Sequence, residues 1–375
     1  MNLFSTRTGN DRVNSGSILV LAGFPILLSG QVALGVLTIL VALVLTASQG
    51  ITEADKIEIR FNASTPENVL RELEQLSEME NVNGFGKSNN SRKTLLVDEE
   101  TRIKHYVKGL LALGRKYGKS SDDKPQLSLR YQQLAFETIR LYPENDQIVD
   151  GSISLLALIA KEPIVRKRYK DQAHEFGLNR PISVLKSVLA RARNEEDEAK
   201  EEMLAEILRK GCLFLGAVCN ESEDLGLSSV VLSKGGLELI LEAAKWFRLH
   251  EEVSNWALWA IFTLSYDQLS IKARLVRLQG IQTICGIMEN NQTSLEVTRH
   301  GTAILFDLLR ERERVTVGFK WNPWEVRKIA LASGLHERIL AGMREFPDSM
   351  DIMKMGQEML IGTGYRGDIP KFQEI

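Results

Sequence analysis

Residues 234–265 read KGGLELILEAAKWFRLHEEVSNWALWAIFTLS, and residues 278–309 read LQGIQTICGIMENNQTSLEVTRHGTAILFDLL. The second stretch follows the first at an offset of 44 residues. In the first, Gly236 precedes an apolar stripe of Leu237, Ile240, Leu241 and Ala244. A turn at Leu249–Glu251 leads into a second stripe of Val253, Trp256, Ala257, Ala260, Ile261 and Leu264. In the second stretch, Gly280 precedes Ile281, Ile284, Cys285 and Met288. Val297, His300, Gly301, Ile304, Leu305 and Leu308 follow. Steps of three and four residues put each set on one face of a helix. A unit of this size cannot bury its stripes alone, so successive copies have to stack on one another.

Fainter copies flank this pair. Ile148, Gly151, Ser152, Leu155, Leu156 and Ile159 carry the second stripe, as do Ile207, Lys210, Gly211, Phe214, Leu215 and Val218. So do Ile352, Met355, Gly356, Met359, Leu360 and Thr363, with Gly334 matched to Gly280. Ser152, Gly211, Ala257, Gly301 and Gly356 share one small-residue position, where neighbouring helices are expected to approach closely. Pro125, Pro143, Pro163, Pro181, Pro323 and Pro347 read as helix boundaries. No convincing run of alternating strands is present. The fold class expected is therefore all-α, a helical solenoid with a period in the 40s.

Lys234 through Ile240 and Trp256 through Ser265 resemble the central consensus of the armadillo repeat family, and the stretch from Leu278 repeats it more loosely. The resemblance is clearest over 225–365 and is extended by inference to 98–367. It implies a right-handed armadillo-like solenoid whose inner helix faces a binding groove. In family members that bind extended peptides, the inner helix carries a Trp and, four residues on, an Asn that holds the peptide backbone. Trp259 stands at the Trp position, but Thr263 replaces Asn; the next repeat has Ala303 and Asp307, the preceding one Leu213 and Ala217. Ser154 and Leu158, and Glu358 and Gly362, complete the series. The missing Asn ladder argues against a carrier of basic nuclear signals. Thr263 and Asp307 offer one or two polar contacts in a groove, or are plain surface residues. Trp256 lies in the core stripe; Trp259, three residues and about 300° further round the helix, points toward the groove.

The insert Arg310–Trp324 stretches the repeat spacing and carries alternating Arg and Glu, then Phe319, Trp321 and Trp324. Trp321 and Trp324 are either partner contacts or caps on the neighbouring repeat. The runs Arg166–Arg168 with Lys170 and Glu195–Glu198 read as solvated faces, the first with some affinity for anionic surfaces.

The N-terminal part has a different character. No charged residue occurs between Arg12 and Glu53. After a polar tail at 1–16, residues 17–48 form a hydrophobic anchor. Its core at 26–47 spans about 33 Å as a helix, enough for a bilayer. One membrane span is expected; a hairpin, suggested by Pro25 and Gly30, and a cleaved signal remain alternatives. Residues 49–97 read as a polar linker, with a helix near 66–79 and a flexible loop at 81–91. Residues 368–375 form a C-terminal tail. Flanking charges (Arg7 and Arg12 against Lys56 and Arg60) leave orientation open. The resemblance puts the repeats in the cytosol. Sequons at Asn62, Asn89, Asn220 and Asn291 are the sequence feature that would suit a lumenal face.

A net charge of -2 gives no bulk attraction to nucleic acid. The pattern at Gly362–Gly367 lacks the strand and helix of a dinucleotide site, and Gly118-Lys119-Ser120 lacks the first Gly of a phosphate loop. Cys212 and Cys219 are too far apart for a zinc knuckle, and Cys285 lies elsewhere in an apolar stripe. No catalytic residue, cofactor, metal or small-molecule substrate is expected. The function expected is a membrane-tethered scaffold or adaptor, binding a protein partner through Trp259, Thr263, Asp307, Trp321 and Trp324. The alternative is a lumenal armadillo-type cochaperone, a nucleotide exchange factor for a chaperone.

Overall fold

The computed structural model describes residues 57–370, apart from 59, 62, 85–98, 118–123, 171–176, 221–225, 312–313 and 317–318. The hydrophobic stretch 17–48 and the tail 1–16 lie outside the described residues, as do 371–375. Two helix pairs come first: α1 (Pro66–Gly84) with α2 (Glu99–Lys116), then α3 (Lys124–Leu141) with α4 (Asp146–Ile159). Triplets follow, each a shorter helix and two more. They are α5 (Pro163–Lys170), α6 (Asn179–Ala192) and α7 (Glu198–Cys219); α8 (Leu227–Ser233), α9 (Gly236–Trp246) and α10 (Glu251–Ser265); and α11 (Leu269–Arg277), α12 (Gly280–Asn290) and α13 (Leu295–Arg310). After a hairpin come α14 (Pro323–Ala332), α15 (Leu335–Glu345) and α16 (Met350–Gly362).

The last helix of each unit packs on that of the next: α2 on α4, then α7, α10, α13 and α16. The middle helices form a second row, α3, α6, α9, α12 and α15. This is an α-solenoid, in which each unit touches mainly its neighbours. The stripes read from sequence face inward: Leu237, Ile240, Ala244, Val253, Ala257, Ile261 and Leu264 are fully buried, as are Ile284, Val297, Leu305, Ile352 and Leu360. Each Val, Leu or Ile among them contributes about 1.5–3 kcal/mol by leaving water, and each Ala less.

The small-residue position packs the last helix of a unit against its middle helix. A Cβ on Gly211 would lie 2.6 Å from Leu185, one on Gly301 2.6 Å from Met288, and one on Gly356 2.8 Å from Met343. In the early copy the same place holds a buried hydroxyl pair, Ser152 Oγ and Thr138 Oγ1 at 2.8 Å. Helix starts are marked by side-chain caps: Asn145 for α4, Asp197 for α7, His250 for α10, Ser294 for α13 and Asn322 for α14. Acceptors at these positions satisfy backbone N–H groups that have no partner inside the helix.

Several expectations change. Gly235, Gln279 and Gly334 sit before α9, α12 and α15 in the left-handed region, at φ 75°, 60° and 79°. Gly334 therefore matches Gln279, and the residue matching Gly280 is Leu335. Gly236 and Gly280 answer a separate need: a Cβ there would come within 2.4 Å of Val231 or 2.3 Å of Leu275. The insert contains strands after all, β1 (Arg314–Thr316) antiparallel to β2 (Phe319–Trp321). α1 continues to Gly84, past the start of the Asn- and Gly-rich run assigned to a loop.

The connector before α1 is docked rather than free. Ile57 and Phe61 are buried, Lys108 Nζ donates to Glu58 at 2.6 Å, and Lys116 Nζ donates to the Phe61 carbonyl at 2.7 Å. At the other end, Tyr365 lies edge-on to His336 at 5.1 Å, and Gln357 Nε2 donates to the Pro370 carbonyl at 2.9 Å. Ile369 packs against the core, so residues 365–370 lie along the flank of α16. Among the described residues no helix is long and apolar enough to cross a membrane.

Candidate partner-binding face

The row of last helices leaves one face uncovered by other helices, and the repeat positions of Trp259 and Thr263 all lie on it. Ser154, Leu213, Trp259, Ala303 and Glu358 in the first row are accessible to some degree, as are Leu158, Ala217, Thr263, Asp307 and Gly362 in the second. Leu111 on α2, 39% exposed, continues the strip toward the N-terminal end. From Leu111 to Ala303 the strip is mainly apolar, interrupted by Ser154 and Thr263.

Beside the strip runs a polar seam that joins one last helix to the next. Lys210 Nζ of α7 donates to Asp150 of α4 at 2.6 Å. His300 Nδ1 of α13 meets Asn255 Oδ1 of α10 at 3.0 Å. Since the amide oxygen of Asn255 accepts, the proton on His300 resides at Nδ1. Burial, with the Arg299 charge adding to it, pushes the His300 pKa down to about 4. The seam and the strip thus lie side by side, one polar and paired, the other largely apolar.

Trp259 is half-buried and sits on the floor left by a glycine: a Cβ on Gly216 would lie 2.4 Å from its ring. Its indole meets that of Trp256 edge-to-face at 5.6 Å, although the two residues start from different sides of α10. Trp256 is correspondingly partly buried and packs against the core. Trp259 makes no hydrogen bond to another described residue, so its indole N–H is free to donate. The Thr263 hydroxyl donates to the Ala260 carbonyl of its own helix at 3.0 Å, which leaves the oxygen as an acceptor.

Asp307 is already engaged. Its carboxylate pairs with Lys272 Nζ at 2.9 Å, and Lys272, 2% exposed, also binds Glu311 at 2.9 Å. Burial pushes the Asp307 pKa above the usual carboxylate range, an effect the Lys272 ammonium offsets only in part. This makes Asp307 first of all the partner of a buried cation, since an unpaired ammonium inside the fold would be costly. The Lys lies 35 positions earlier, on α11, so no local pattern announced the pair.

The structure separates the two tryptophans of the insert. Trp321 is 1% exposed and belongs to the core, which overturns its role as a partner contact. Trp324 is 76% exposed, with the Arg327 guanidinium 5.7 Å from its ring centre. One member of the basic run is reassigned: Arg166 is buried and donates to the Asn220 and Lys161 carbonyls at 2.6 and 2.9 Å. Lys167 and Lys170 are exposed, as are Glu196, Asp197 and Glu198 of the acidic run, where Asp197 also caps α7.

Among the described residues no group of three or more His, Cys, Asp or Glu is placed to hold a metal ion. Cys212, Cys219 and Cys285 are free and buried, and burial pushes each pKa up to about 12, which keeps them as thiols. No protein-family model matches the chain. No curated protein matches it either.

Proposed function

We propose that the chain is a non-catalytic scaffold of armadillo type, tethered to a membrane by residues 17–48, that recruits a protein through the strip on its row of last helices. The observation that carries this reading is the strip itself: accessible, mainly apolar, and continuous from Leu111 to Ala303 across successive units. An extended apolar strip on a protein surface is a mark of a binding site. Without an Asn ladder the strip has few groups with which to hold a peptide backbone. It suits a partner whose own backbone is already hydrogen-bonded, an apolar face of a helix. Trp259 supplies the anchor, a large ring on a rigid floor with a free N–H.

The lumenal cochaperone reading loses one of its supports. Asn291 is 7% exposed, and its Nδ2, the atom a glycan would occupy, donates to the Arg248 and Ile287 carbonyls at 2.8 and 2.9 Å.

The test places a photo-crosslinking amino acid at position 259 of the full chain in intact cells, with a control at Trp246 on α9. Membranes are then extracted with carbonate and treated with protease. A carbonate-resistant chain, with an adduct formed from 259 and not from 246, supports the proposal. Release by carbonate removes the tether, and identical adducts from both positions remove the strip.

A further inference from the structure

A cleft of about 160 Å³ opens where α13, α14 and α16 meet, lined by Phe306, Arg310, Arg327, Glu358, Met359 and Gly362 among others. That is room for much more than a single water. Two of its walls carry guanidinium groups. Arg310 lies 5.8 Å from the Phe306 ring centre, and Arg327 is stacked on Trp324. Stacking on aromatic rings holds a guanidinium in place and leaves its in-plane N–H groups pointing outward. Neither Arg forms an ion pair or donates a hydrogen bond to another described residue. The Arg327 Nε is moreover buried without an acceptor. The outer N–H groups of the guanidinium are therefore the ones an incoming acceptor would meet. Gly362 keeps the floor clear, since a Cβ there would meet nothing within 4 Å.

We propose that this cleft receives a carboxylate from an acidic segment of a protein partner. The charge count selects the ligand. Among the lining residues two guanidiniums face one carboxylate, Glu358, so one further negative charge balances the lining; Asp307, which the Arg310 charge also reaches, is engaged by Lys272. The planar fork of Arg fits the two oxygens of a carboxylate. The aromatic and Met359 walls accept the aliphatic stem behind it. The cleft lies on the same face beyond the C-terminal end of the apolar strip, and it does not require that strip to bind anything.

The test is fluorescence anisotropy on the full chain in mild detergent. The probe is a dye-labelled peptide with one central glutamate between leucines, compared with its glutamine counterpart. The glutamate peptide should bind about tenfold more tightly at low salt, and the preference should shrink as salt is raised. R310Q/R327Q should bring the two peptides level. E358Q, which removes the competing carboxylate, should widen the preference several-fold. Equal binding of both peptides overturns the proposal. So does a preference that survives R310Q/R327Q at wild-type helix content, or full displacement of the peptide by equimolar inorganic phosphate. If R310Q/R327Q loses helix content, E358Q decides: a gain supports the carboxylate site and no gain overturns it.

Discussion

Acidification should weaken the joint between α10 and α13 through one residue, His300. In the folded chain its imidazole is held neutral, with a pKa near 4, while donating from Nδ1 to Asn255. In the unfolded chain it titrates near 6.5. Between these values the unfolded state binds more protons, so His300 contributes stability that is fully present above about pH 6.5 and is lost as pH falls toward 4. From pH 7.5 to 5 the linkage amounts to about 2 kcal/mol, an upper figure because the ring is partly reached by water. On a solenoid of this size that is a shift in thermal midpoint of about 3 °C. The comparison is with His300→Gln, whose amide retains a donor for Asn255 and does not titrate. Urea unfolding followed by circular dichroism at the two pH values gives the numbers. The wild type should lose about 2 kcal/mol more than the variant over this interval. Parallel losses in the two proteins would refute the burial argument.

Three further outcomes follow from the packing. Lys272→Met leaves Asp307 and Glu311 facing each other without their cation and should cost about 3–5 kcal/mol in urea unfolding; the triple variant with D307N and E311Q should recover most of it. Gly216→Ala drives a methyl into the Trp259 ring, so it should cost about 1–3 kcal/mol and change the near-ultraviolet circular dichroism of the indoles. Gln279→Gly removes a side chain from a left-handed backbone position; the relief of about 1–2 kcal/mol exceeds the entropy cost of glycine, and the thermal midpoint should rise slightly.

The solenoid was legible because its repeat is written twice at one offset. Gly236 and Gly280, the starts of α10 and α13, and the stripes between them all recur 44 residues apart. In the C-terminal copy the second stripe is in register, with Gly356 placed in α16 as Gly301 is in α13, and only the match of Gly334 to Gly280 is one residue out of step. Two of the left-handed slots hold Gly235 and Gly334 and the third holds Gln279, so matching by glycine alone aligned Gly334 with the wrong neighbour. The hairpin was missed because its strands are three residues each, too short for alternation to stand out. Ile57 and Phe61 gave no periodic signal either, being two apolar residues in a polar stretch whose docking depends on α2.

For the candidate face, repeat register alone sufficed to place Trp259, Thr263 and their counterparts on one accessible surface. What register could not supply was which side chains were already taken. Asp307 is bound to a lysine on another helix, 35 positions earlier, and Trp321 is buried as the last residue of a strand too short to read from sequence. The Arg310–Arg327 cleft escaped notice for the same reason, since its walls come from three helices that share no local motif.

The covered flank of α16 bears on how copies of this chain meet. A stack of repeats is by nature open-ended: the surface that receives the next unit remains sticky when the units run out. Here Tyr365, Ile369 and Pro370 lie across that surface, with Thr363 Oγ1 held to His336 at 2.8 Å. Residues 365–370 thus shield this flank from a second copy. Tyr365→Ala with Ile369→Ala should uncover it, and the variant should form longer assemblies at concentrations where the wild type does not.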